Sequence, residues 1–304
     1  MSDSMMRHRN SRFSFWSPAG CFAIASLSAQ HPWNLSPCRL WRSDRARALA
    51  IALAGSALGW LWMAPAQAEM QPPETAPAAV TEMLMQIDAA ASDRNVEEVM
   101  EFFSPEFSHA DGLTYDDYEA ALEAFWERYA TVNYATTLTA WEQDGEDTVI
   151  KTVTAITGSE SIGDRSAQLS AEVASRQVIR GGQLLEQEIL TEDNTLTLGP
   201  TPPTLDVNLP QQVAVGQQFS FDAIVLEPLG DRILLGTALE EAVSPEIYTT
   251  PSTIDFELLA AGGLFKIGQA PVSLDDQWIS AVVVREDGLT AVTRRLEIVN
   301  RLDD

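Results

Sequence analysis

"LGPTPPT", residues 198–204, separates two textures of sequence. Its three prolines and one glycine remove backbone donors and disfavour regular dihedrals, so neither helix nor strand is expected to run through it. Residues 199–204 are therefore read as a linker between a mixed segment, 79–198, and a β-rich segment, 205–304.

Upstream, "AAVTEMLMQIDAAASD" (78–93) spaces Val80, Met83, Leu84, Ile87 and Ala91 as one helical face. Asn95 with Glu98 resembles a capping box opening a short second helix, which Ser104-Pro105 ends. A third helix follows, with Tyr118, Leu122, Phe125 and Tyr129 on one side and Glu119, Glu123 and Glu127 on the other. Thr114 and Asp117 supply its cap, and Leu113 with Tyr118 a hydrophobic staple. The period then changes to two in "YATTLTAWE", "DTVIKTVTAIT", "SAQLSAEVASRQVI" and "QLLEQEILTED", with hairpin turns at Asp144-Gly145 and Gly181-Gly182. Three helices followed by a meander predict an α+β domain. Downstream, short strands such as "LDVNL", "QQFSFDAIVL" and "QWISAVVVRE", separated by turn residues, predict an all-β sandwich.

The N-terminus reads as an export signal. Arg42, Arg45 and Arg47 precede the apolar run Leu49 to Met63, and Ala66-Gln67-Ala68 forms a small-residue cleavage site before Glu69. Residues 1–68 are thus read as an extension and signal peptide that sends the chain to the periplasm or outside the cell, with an uncleaved membrane anchor over Ala48 to Ala66 as the alternative, and the Pro-rich 69–78 as a tether. Cleavage would remove both cysteines, Cys21 and Cys38, and two of three histidines, leaving His109. The exported chain would carry 12 basic and 42 acidic residues, net −30. Such a surface repels phosphate backbones and anionic lipid, which excludes nucleic-acid binding and predicts no stable membrane insertion. One histidine without cysteine excludes an ordinary structural zinc site, and no motif calls for a cofactor.

Residues 79–198 resemble the NTF2-like superfamily (nuclear transport factor 2, SnoaL-like cyclases, ketosteroid isomerase). The resemblance rests on the helix-then-meander order and on "DRNVEEVMEFFSPEFSHADG" (93–112). It implies a cone-shaped α+β fold, three helices over a curved antiparallel sheet with a pocket at its wide end. The later half resembles a bacterial Ig-like or fibronectin-III-like sandwich on strand pattern alone.

Within that frame, His109 and Asp111 are the candidate acid–base pair, because imidazole titrates near neutrality and a nearby carboxylate can fix its tautomer. A solvated loop histidine beside a turn explains the same residues. Phe125, Tyr129, Tyr134, Trp141 and Arg176 are the candidate pocket residues; a filled core would also use those aromatics, and Arg176 could pair with Glu172 or Glu188 on the sheet. A ketosteroid-isomerase set needs a buried carboxylic acid and a carboxylate base, and the two cannot both be assigned. The expectation is an exported, non-catalytic protein holding a small apolar ligand or an envelope protein, with a homodimer through the sheet as one partner arrangement. The alternatives are an isomerase, cyclase or hydratase using His109 and Asp111, and a structural envelope component.

Overall fold

The computed structural model describes residues 70–302 except 229, 231, 251–253, 260 and 261. The segment expected to be an export signal and both cysteines lie outside the described residues.

Helix α1 (Ala78–Ser92) buries Val80, Met83, Leu84 and Ala91. Asn95 caps α2 (Val96–Met100): its side-chain oxygen accepts from the Glu98 amide and its NH2 donates to the Glu98 carboxylate. Ser104-Pro105 lies within a strand, β1 (Phe103–His109), whose Phe103, Phe107 and His109 point inward. Helix α3 (Tyr115–Arg128) begins at Thr114, where a reciprocal capping box with Asp117 satisfies two otherwise orphaned amides.

A meander follows, made of β2 (Thr131–Asp144), β3 (Asp147–Ile162), β4 (Arg165–Arg180) and β5 (Gln183–Leu198). Its register slips twice along β5, between Ser175 and Ala174 and between Ile179 and Val178 of its partner β4. Each bulge adds one residue to β5 and bends it, which helps the sheet curve around the helices. The second half supplies β6 (Leu205–Asn208), β7 (Gln212–Ala214), β8 (Gln218–Val225), β9 (Leu235–Ala242), β10 (Glu257–Leu258), β11 (Gly263–Gln269), β12 (Gln277–Arg285) and β13 (Gly288–Val299).

The expected α+β cone with a self-contained Ig-like sandwich is corrected by the pairing of β5. Its outer edge takes β1 in parallel at Leu184 to Gln187 and β13 antiparallel from Asp193 to Leu198. One ten-stranded sheet therefore runs through both halves, in the order β10-β9-β12-β13-β5-β4-β3-β2, with β1 and β7 alongside. Strands dominate the molecule, and the three-stranded sheet β11-β8-β6 is a second layer over only one end. A β-edge left open at β5 would leave a row of amides unpaired, and β13 supplies the partner.

The "LGPTPPT" segment is a tight return. Gly199 has φ +95, and a Cβ there would sit 2.7 Å from the Asp287 carbonyl oxygen. Arg285 Nη2 donates to the Thr201 carbonyl at 2.8 Å and the Thr290 hydroxyl to that of Pro203. Strand β12 is buried on both faces. Trp278 and Val282 complete the core under the helices, while Ile279, Ala281 and Val283 fill the core against the smaller sheet.

A fragment of residues 70–199 should accordingly show no cooperative urea unfolding, whereas the longer chain should unfold in one transition seen alike by far-UV circular dichroism and tryptophan fluorescence. Trp278→Ala should cost about 3–5 kcal/mol in that transition, as for other large aromatic truncations in cores.

Candidate functional site

Helices α1 and α3 cover the concave sheet face and leave a cavity of about 110 Å³. Leu84, Val99, Phe103, Leu122, Phe125, Ile156 and Val173 give it apolar walls. Its polar groups include His109, Gln187 and Gln177, which are register partners across β1, β5 and β4 and so form one transverse row. The bulges bring this about: Leu184, Gln187, Ile189 and Glu192 share a face only because β5 gains a residue at each slip.

His109 is 3% exposed, in an aromatic box made by Phe107, Tyr118 and Tyr248. Its Nδ1 accepts from the Asp111 backbone amide at 3.2 Å, so in the neutral ring the proton lies on Nε2. Burial, only partly offset by the nearby Asp111 charge and reinforced by Arg295, lowers its pKa to about 4. At neutral pH it is therefore an uncharged hydrogen-bond donor. Loss of hydration pushes the Tyr118 phenol, also on the lining, up to about 12.

Behind His109 lies a buried polar network that spans the two halves. Arg295 of β13 meets Asp111 through two nitrogens at 2.5 and 3.0 Å and Asp276 through Nε at 2.8 Å. Tyr248 donates its hydroxyl to Asp111. Burial alone would raise the Asp111 pKa, but the Arg295 guanidinium outweighs it and holds the carboxyl below its usual range. Burial would likewise lower that of Arg295, and Asp111 and Asp276 outweigh it. Farther along β5, Glu192 accepts from Trp278 Nε1 at 2.9 Å and from the Asn194 amide at 2.5 Å.

Of the residues singled out in the sequence, His109, Phe125 and Tyr134 line the cavity. The Tyr134 hydroxyl accepts from Trp126 Nε1 at 3.0 Å. Asp111 lies behind His109, and its backbone amide, rather than its carboxylate, fixes the tautomer. Tyr129 is fully buried against Phe125, off the cavity lining. Trp141 packs at the tether, its Nε1 donating to Thr75 Oγ1 at 3.0 Å. Arg176 alternates with the lining residues Ser175 and Gln177 of β4 and is not on the lining itself. Arg295, Tyr248, Gln177 and Gln187 carried no local signal: the first two are brought in from far along the chain, and the glutamines read as ordinary sheet polar residues. A second, open cleft of about 1010 Å³ runs over Asp111, Glu172, Asp193, Asp276 and Arg294. Among the described residues no group of three or more His, Cys, Asp or Glu could hold a metal ion.

Residues 200–299 match the family model for the domain of unknown function DUF8623. No curated protein matches the chain. Among solved structures, a candidate scytalone dehydratase from Novosphingobium aromaticivorans is similar at 14% identity, over 37% of this chain and 80% of that one, TM-score 0.32. A protein of ketosteroid isomerase-like fold from Catenulispora acidiphila, in complex with trimethylamine, is similar at 15% identity, over 36% and 83%, TM-score 0.28. An LEH-like epoxide hydrolase from M. tuberculosis is similar at 13% identity, over 38% and 84%, TM-score 0.26. Each likeness covers little more than a third of the chain, and the chemistry of the site rests on its own geometry.

Because the unfolded His109 titrates near 6.5 and the folded one near 4, the unfolded state takes up the proton first as pH falls. Stability contributed by the neutral ring is complete above pH 6.5 and should decline by about 3 kcal/mol by pH 4. In pH-dependent urea unfolding His109→Gln should lack that part of the slope, leaving the carboxylate contribution. Arg295→Met should destabilise by about 3–5 kcal/mol by stranding a buried carboxylate, and adding Asp111→Asn should recover much of it.

Proposed function

We propose that this is an exported binding protein that holds a small, mostly apolar, neutral molecule under α1 and α3 and does not transform it. The observation that carries the reading is a mostly apolar cavity beneath α1 and α3 with one imidazole held neutral as a donor. Size supports a ligand of about six non-hydrogen atoms, since an engineered cavity of about 150 Å³ takes benzene. A four-ring substrate exceeds a volume of about 110 Å³.

Acid–base turnover would need a second proton-exchanging group within hydrogen-bond reach of the same ligand atoms. The carboxylate on the lining is Asp88 of α1, which accepts from the Thr136 amide and hydroxyl, both at 2.6 Å, on β2. From β1 to β2 the sheet runs through four strand spacings, roughly 19 Å along its surface. His109 of β1 and Asp88, tied to β2, thus belong to strands four places apart in the sheet. Export is supported by the basic, apolar and small-residue blocks ahead of Glu69 and by the acidic remainder.

Cyclopentanone is a suitable probe. It should shift side-chain NMR resonances of Leu84, Val173 and Ile189 saturably, with a Kd in about the high-micromolar to millimolar range expected for so few atoms. Val173→Phe should fill the cavity and abolish those shifts while the chain stays folded. Conversion of the bound ketone that disappears in a folded His109→Ala variant would overturn the non-catalytic reading.

A further inference from the structure

The edge of the large sheet at β2 is guarded: the Tyr134 amide donates to Ser92 Oγ at 2.9 Å, that of Thr136 to Asp88 at 2.6 Å and that of Trp141 to the Gln71 carbonyl at 3.1 Å. Strand β11 ends the smaller sheet, and no described strand pairs with its other edge. The Ala270 amide donates to the Gln217 carbonyl just beyond one end of its ladder with β8, and the Val225 amide to that of Gly262 beyond the other. Bonds in an antiparallel ladder alternate, so Leu264, Lys266 and Gly268 bond to β8 while Phe265, Ile267 and Gln269 turn their amides and carbonyls outward. Phe265 and Ile267 lie on the outer face of the sheet with Ile224 of β8 and are 53% and 76% exposed. An apolar edge with unmet backbone groups is a template for another strand.

We infer that β11 pairs with β11 of a second copy of this chain, antiparallel about a two-fold axis at Ile267. In that register Ile267 exchanges two bonds with its counterpart, and Phe265 does the same with Gln269 of the second copy. The two smaller sheets become one, and the Phe265 and Ile267 side chains of both copies meet on its outer face. Charge selects both the occupant and the register. The chain carries net −25, yet residues 258–274 hold no acidic residue and a single basic one, Lys266, so two copies approach here with little repulsion. A register centred on Lys266 would set that charge against itself. Centring on Ile267 sets each Lys266 opposite Gly268 of the other copy, where no side chain crowds its stem. Such an isologous contact closes on itself and uses up both β11 edges.

Sedimentation velocity of the chain from Glu69 onward, the form that the proposed export leaves, should show reversible dimerisation with a Kd in about the micromolar range, as suits a small interface. Raising the salt from about 50 to about 500 mM should tighten it several-fold, because repulsion between acidic copies is screened. Ile267→Pro removes an outward amide and no bond to β8, and Ile267→Lys opposes like charges at the axis. Each should weaken the dimer by at least about tenfold with circular dichroism and urea unfolding unchanged. That chain has no cysteine of its own. Under mild oxidation Ile267→Cys should therefore cross-link, as should a mixture of Phe265→Cys and Gln269→Cys chains. Phe265→Cys alone should not, since its two thiols would stand roughly 13 Å apart along the strands. A chain that stays monomeric at high concentration and high salt, or a dimer indifferent to both Ile267 variants, overturns the proposal. Saturable shifts of the Phe265 and Ile267 amides when an extended peptide is added to such a monomer would give the edge to a foreign strand instead.

Discussion

Strand β5 has two edges to satisfy in a sheet whose meander covers only one of them. The other edge is divided, its first half given to β1 and its second to β13. Much of the architecture follows from this division. It places His109, at the end of β1, beside Gln187, and it brings Trp278 of β12, two strands away in the same sheet, within hydrogen-bond reach of Glu192 on β5. The helices alone do not close the core there, so Trp278, Val282, Tyr248 and Leu289 finish it from the other half of the chain.

The ion pair of Arg295 with Asp111 sits at the seam thus created. A buried guanidinium and carboxylate lose much hydration, and their attraction in a poorly polarisable setting roughly repays that loss. Such a pair is weak evidence for net stability. Its effect here is positional: with Asp111 fixed by Arg295 and Tyr248, the Asp111 amide is held against His109 Nδ1. Gly112, at φ +89, lets the chain turn there before Thr114 starts α3. The ring's tautomer is in this way set from β13, 184 residues beyond Asp111.

Local chemistry was legible in the sequence and long-range pairing was not. The caps at Asn95 and Thr114, the apolar faces of α1 and α3 and the hairpins at Gly145 and Gly181 follow from residues within a few positions of one another. The proline-rich segment 199–204 does exclude regular structure, but a break in secondary structure is not a break in the sheet. "QWISAVVVR" held a clue, for a strand apolar on both faces is sandwiched between two cores. At the site, His109 was visible as the sole histidine after residue 31. Gln187 and Gln177 were not, because alternation counted through β5 fails at two bulges that only the pairing with β4 reveals. Arg176 illustrates the same dependence: its neighbours Ser175 and Gln177 line the cavity, and which face of β4 is concave is set by the helices packed on it.

The cavity's chemistry is best understood through what the seam denies it. A histidine in water alternates between acid and base near neutrality, but burial removes the cationic form and the Asp111 amide occupies the basic nitrogen. What is left is a fixed dipole, a donor of constant charge across the neutral range. A donor of fixed charge suits the proposed binding of a neutral guest. Tyr248 strengthens the point, since it lines the cavity while its own hydroxyl is committed to Asp111. A seam that holds Arg295 and Asp111 behind the wall thus leaves His109 uncharged, and the carboxylate on the lining, Asp88, is held apart from it by Thr136 of β2.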